Sequence, residues 1–192
     1  ASRGTKVKVF EKNRWDGGQF RIGAVPPGKG EMINYINWQL NELEKLNVPV
    51  LMETEVTPEL VKKENPDVIF AATGAEPIIP NIPGADRPNV VTAHDVLSGK
   101  VNTGNSVVVV GGGCVGAETA NQLANYLKGV TIIEMLDAIA GDEIVVPRWD
   151  LLEDLDRNKV RICTKTTVDE ITDTGVKVSG AVNEVIPCDT VV

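Results

Sequence analysis

The chain has 192 residues, 42% of them hydrophobic and only 4% aromatic, so it is long enough for one sizeable domain or two small ones with cores built from Val, Ile, Leu and Ala. A formal net charge of −8 speaks against a nucleic-acid partner, which calls for basic stripes that replace phosphate counterions. No apolar run approaches the roughly 18–20 residues that cross a bilayer, and the N-terminal stretch is not a secretory signal, so the expectation is a cytoplasmic protein without membrane partners.

Gly4 to Phe10 alternates apolar and polar residues and ends in Glu11, the pattern of a strand closed by an acid. Gly17-Gly18 marks a turn and Pro26-Pro27-Gly28 a loop. Ile33, Ile36, Leu40 and Leu43 recur at helical spacing and predict an amphipathic helix over residues 31–46. Val48 to Leu51 and Thr54 to Thr57 read as short strands. Pro58 to Glu64 reads as a short helix with Thr57 as N-cap and proline in its first position.

Asp67 to Gly74 is expected to be a buried strand that becomes small-sided at its end. Prolines 77, 80, 83 and 88 make the following stretch a connector, which sets the expected units at residues 1–103 and 104–192. Asn105 to Val110 then closes on four consecutive valines, as in a strand covered on both faces of a parallel sheet. A glycine cluster, a helix to about Lys128 and the strand Val130 to Ile133 follow. Beyond Asp150 a short helix and several short strands are expected.

The glycine cluster carries the chemistry. Gly111-Gly-Gly113-Cys-Val-Gly116 fits G-x-G-x-x-G directly after a strand and directly before a helix, the context that the dinucleotide-binding fingerprint requires. Gly111 serves the tight turn, Gly113 the approach of the pyrophosphate, and Gly116 the packing of helix on strand. Glu134 ends the second strand roughly 20 residues later, where an acid accepts hydrogen bonds from ribose hydroxyls. With Met135 and Leu136 after it, the site offers no positive charge to a 2′-phosphate, so NAD(H) is expected over NADP(H). Glu118 lies in the first helical turn, where the helix dipole favours an acid. No acid, base or nucleophile is assigned a catalytic role. Cys114, Cys163 and Cys188 lack the C-x-x-C or clustered spacing of a redox disulfide, an iron–sulfur cluster or a metal site. His94 reads as an ordinary surface or packing residue.

The halves echo each other. Strands end in Glu11 and in Glu134, and Asp67-Val-Ile-Phe is matched by Asp189-Thr-Val-Val. Only the second copy shows the strand and glycine loop before its acid. The expectation is therefore an α/β chain with two Rossmann-like dinucleotide-binding units, both incomplete, cut from a longer protein.

Phe10-Glu11-Lys12, Gly17-Gly18-Gln19-Phe20, Pro26-Pro27-Gly28-Lys29 and Ala72-Thr73-Gly74-Ala75-Glu76-Pro77 occur in one order, ahead of Asn89-Val-Val-Thr-Ala and the fingerprint. This resembles the C-terminal region of the NADH:flavin oxidoreductases related to 2,4-dienoyl-CoA reductase, 2-enoate reductase and trimethylamine dehydrogenase. The resemblance implies FAD held by Glu11, Lys12, Gln19, Thr73 and Gly74, with an inserted NAD(P) domain. It also implies an N-terminal barrel of the same polypeptide that carries FMN and an iron–sulfur cluster. Hydride would pass from NADH to FAD and electrons onward to FMN, which reduces an activated C=C bond. Two alternatives share the architecture: a non-catalytic ADP-binding module, as in trimethylamine dehydrogenase, and the reductase small subunit of glutamate synthase.

Overall fold

The computed structural model describes residues 1–192, which fall into two compact units, Ala1–Glu76 and Pro77–Val192. The sequence expectation places the boundary between about 76 and 104 and counts the proline-rich connector with the first unit. The observed division after Glu76 falls at the near end of that range. Residues 77–103 belong instead with the second unit, where the Val91 amide donates to the Val191 carbonyl and the Ile171 amide to that of Pro83. Proline richness marks a segment without its own ladder, not a segment without a dock.

In the first unit, β1 (Val9–Phe10) pairs in parallel with β2 (Val50–Leu51). Between them lie α1 (Gly18–Gly23) and α2 (Glu31–Lys45), the latter burying Ile36. The helix α3 (Pro58–Glu64) begins as its sequence demands: the Thr57 hydroxyl accepts the Leu60 amide at 3.3 Å, and proline stands where no backbone donor is needed. Two expected strands do not form. Thr54 to Thr57 is irregular, and so is Asp67 to Gly74, which pairs with no strand and leaves Phe70 91% exposed. The sheet of this unit holds only β1 and β2, so that apolar run has no neighbouring strand to satisfy its backbone or cover its side chains.

The second unit opens with α4 (Ala93–Leu97), capped by Thr92 and carrying His94. It continues through β3 (Ser106–Val110), α5 (Cys114–Asn125), β4 (Gly129–Ile133), α6 (Val145–Arg157) and β5 (Arg161–Cys163). The strands β6 (Thr166–Ile171), β7 (Gly175–Gly180) and β8 (Glu184–Pro187) form an antiparallel meander, and β9 (Thr190–Val191) returns to the parallel sheet. That sheet runs β5-β4-β3-β9, all parallel.

Its valine run shows why no polar alternation was needed. Val107 and Val109 pack on Ala117, Ala120 and Leu123 of α5 and Leu155 of α6. Val108 faces the other way, among Val176, Val178 and Ile186 of the meander. Val107 to Val109 are buried on both faces of the sheet, so this central run is apolar without alternation. Helices cover one face and a meander the other, and ligands of such parallel sheets bind at the carboxyl edge of the strands. The helix α6 starts at Val145, ahead of the expected Asp150, because Pro147 falls within the first turn and costs no hydrogen bond there.

Candidate functional site

At the carboxyl end of β3 the chain turns through Gly111 at φ +100°, a conformation that a side chain would strain. The helix α5 starts after Gly113 and passes so close to the turn that a Cβ on Gly116 would fall on the Gly111 carbonyl oxygen. Only glycine permits this crossing, and it aims the first turn of α5 at the open edge of the sheet. The Cys114 amide donates to Asp142, whereas the amides of Gly113, Val115 and Gly116 donate to no backbone carbonyl. That is a donor set matched to a pyrophosphate.

Glu134 follows β4 directly and is only 8% exposed. One of its carboxylate oxygens accepts the Gly112 amide at 2.7 Å and the other the Leu136 amide at 2.7 Å. The acid therefore lies beside the glycine loop, braced against it, with lone pairs still available for further donors. Lys128, the nearest base ahead of β4, is engaged elsewhere: its ammonium donates to the carbonyls of Thr103 at 3.0 Å and Gly104 at 2.8 Å.

The segment after Glu134 folds back over the loop. The Ala140 amide donates to the Gly112 carbonyl at 2.6 Å, and the Arg148 guanidinium forks onto the Ile139 carbonyl at 3.1 and 3.0 Å. Asp142 thereby reaches the Cys114 amide at 2.9 Å, and Glu143 approaches the Cys114 thiol at 3.7 Å. Burial and the carboxylates of Asp142, Glu143 and Glu118 push that thiol up to about 12. Its hydrogen bond to Cys114 holds the Asp142 carboxyl below the ordinary range. Sequence reasoning passes over Asp142, Glu143 and Arg148; the one local signal is a Gly-Asp-Glu run shortly after the strand-terminal acid. Cys114, Cys163 and Cys188 are all unpaired thiols.

The first unit repeats this geometry around Glu11. The Glu11 amide donates to the Leu51 carbonyl as that of Glu134 does to Cys163, and the Glu11 carbonyl accepts from Thr54 as that of Glu134 does from Thr166. The Glu11 carboxylate accepts the Asn13 amide at 2.8 Å, two residues on, just as Glu134 accepts that of Leu136. Glu53 and Lys165 even share the left-handed backbone at this point, at φ 53° and 50°. Around this frame the other anticipated residues gather. Lys12 pairs with Glu76 at 3.5 Å, the Gln19 side chain donates to the Ala75 carbonyl, and Gly74 at φ +75° lies beside Gln19. Thr73 is exposed next to them. Glu11, Lys12, Gln19, Thr73 and Gly74 thus come from separate segments to one region of the unit. Glu11 stands there in the same backbone setting as Glu134.

Comparison with known proteins agrees with this geometry. The chain is 38% identical over 191 residues to the bilirubin reductase of Mediterraneibacter gnavus, covering 99% of this chain and 30% of that protein. It is 38% identical over 184 residues to an NADH oxidase of Thermoanaerobacter brockii, covering 94% of this chain and 28% of that protein. The structure superposes on 2-naphthoyl-CoA reductase with a TM-score of 0.95 at 31% identity, covering 99% of this chain and 29% of that one. The chain therefore spans less than a third of the length of these relatives. No helix is long and apolar enough to cross a membrane. Residues 50–192 match the family model described as pyridine nucleotide-disulphide oxidoreductase, and the chain belongs to that family.

Proposed function

We propose that this chain is the dinucleotide-binding region of an NADH-dependent flavin oxidoreductase. The second unit takes NADH: the first-turn amides of α5 hold its pyrophosphate, and Glu134 accepts the hydroxyls of the adenosine ribose. The first unit meets FAD, with Glu11 and Lys12 toward the adenosine and Gln19, Thr73 and Gly74 along the cofactor. When bound, the nicotinamide supplies the hydride and the flavin accepts it. The chain's own residues bind, orient and screen; none is placed to transfer a proton. The onward path, through an iron–sulfur cluster and FMN in an N-terminal barrel to an activated C=C bond, belongs to the same proposal.

The observation that carries the reading is the contact between Glu134 and Gly112. It fixes an acid beside the glycine loop, where it can take the ribose hydroxyls while repelling a 2′-phosphate. A bidentate hydrogen bond to a charged group contributes about 1.5–3 kcal/mol, so NADH should bind about ten- to a hundredfold more tightly than NADPH. Because Glu134 also braces the loop, the informative quantity is the ratio of the two affinities, which a general loosening leaves unchanged. Fluorescence titration with both cofactors measures it. Glu134→Ala should bring the ratio toward one and Glu134→Arg further. Equal affinities in the unaltered protein, or a ratio indifferent to Glu134→Ala, would remove the ribose role.

A further inference from the structure

The amino end of α5 already holds an anion, and it is the protein's own. The Asp142 carboxylate accepts the Cys114 amide at 2.9 Å. Its two oxygens lie 3.6 and 3.7 Å from where a Cβ on Gly113 would sit, flat against the glycine whose side of the loop a pyrophosphate approaches. Glu143 adds a second carboxylate, accepting the Ile144 amide at 2.8 Å on one oxygen and the Cys114 thiol at 3.7 Å on the other.

The segment that presents these acids is anchored at both ends and loose between. Ile139 and Ala140 are buried, and the Ala140 amide is fixed to the Gly112 carbonyl. Arg148 clamps the Ile139 carbonyl from the far side. From Gly141 to Pro147 every residue except Glu143 is exposed, and the only tie of Asp142 to the loop is the Cys114 contact. A short span with few contacts, hinged at fixed points, opens at low cost.

We infer that Asp142 is an internal competitor for the dinucleotide pyrophosphate, occupying the first-turn donor of α5 until the ligand displaces it. The inference rests on the second unit being the dinucleotide site. Two anions at one helix terminus repel each other, so ligand binding displaces the Asp142 carboxylate from Cys114, through movement of the span Gly141–Ile144 ahead of α6. Asp142 therefore caps the helix in the free protein and weakens the affinity of the occupied one. An acid at a helix N-terminus stabilises by an amount equivalent to about a three- to tenfold change in an equilibrium constant, and that is the affinity it withholds.

The test uses the 192-residue chain and its D142N and D142A variants, titrated with NADH by fluorescence at low and high ionic strength. D142N keeps an oxygen for the Cys114 amide without the charge, which guards the fold. D142A removes both. Both variants should bind NADH about three- to tenfold more tightly at low salt, and the gain should shrink at high salt as charge is screened. In the absence of ligand, hydrogen exchange at the Cys114 amide should quicken in D142A. Unchanged or weaker NADH binding in both variants overturns the inference while leaving the dinucleotide site standing. No binding by any of the three proteins overturns the site and the inference together.

Discussion

Replacing Glu134 by alanine should cost stability even when no nucleotide is present. The carboxylate is buried and accepts two backbone amides, those of Gly112 and Leu136, each at 2.7 Å. A hydrogen bond to a charged group contributes about 1.5–3 kcal/mol, so the pair sets an upper limit of about 6 kcal/mol. Leu136 is itself exposed, and water can reach its amide once the carboxylate is gone, so the larger share of the loss falls on Gly112. The Gly112 carbonyl is already engaged by Ala140, and the loop is too tightly packed against Ile139 to offer the amide a new acceptor. The expected penalty is about 2–4 kcal/mol. For a unit of this size that lowers Tm by about 8–16 °C. Thermal unfolding followed by far-UV circular dichroism measures it directly. Glu134→Gln should fall between the two proteins, because its one oxygen satisfies one amide and its NH2 faces the other. A Glu134→Ala shift smaller than about 3 °C would refute the bracing role and show that the loop holds its shape without the acid.

Two further outcomes are expected. Gly116→Ala places a methyl group on the Gly111 carbonyl oxygen, so the loop or the helix must move; NADH binding should be lost and Tm should fall, and an alanine variant that titrates like the unaltered protein would remove the close crossing as the basis of the site. The Cys114 thiol, pushed from an ordinary 9.0 to about 12, should hold a thiolate fraction about a thousandfold smaller at pH 8 than an ordinary cysteine and react with iodoacetamide correspondingly slowly. The unfolded thiol ionises near 9 and the folded one does not, so this group's contribution to stability is complete below pH 9 and declines as pH rises toward 12. An alkylation profile for Cys114 with its midpoint near 9 would contradict the acidic surroundings described for it.

The second unit was legible in the sequence to the extent that its signals are local. Val107 to Val110 must be covered on both faces, and the glycines need the backbone that they adopt, so strand, turn and helix follow one another as the sequence implies. Asp67 to Gly74 carries the same kind of apolar signal and forms no strand here, because burial of a strand is decided by its neighbours rather than by its own residues. Asp142 was invisible for a different reason. Its place depends on a fold-back secured by Ala140 in a left-handed backbone at φ 49° and by one guanidinium on one carbonyl, and neither leaves a periodic trace. The repeat was partly legible. Matching strands and terminal acids can be read from the letters, whereas the common pattern of amide partners around Glu11 and Glu134 exists only in the backbone.

That shared backbone pattern has a consequence for how the two units tell their ligands apart. Each acid is held by strand neighbours and by an amide two residues on, a frame that is insensitive to the side chains around it. On the proposed reading both carboxylates meet the same adenosine ribose, a part that nicotinamide and flavin dinucleotides have in common. The acids are then interchangeable readers of one shared handle, blind to the ring at the far end of the molecule. Exchanging the surroundings of Glu11 and Glu134 would leave each unit's choice of cofactor in place, because sorting flavin from nicotinamide falls to whatever meets those distal rings.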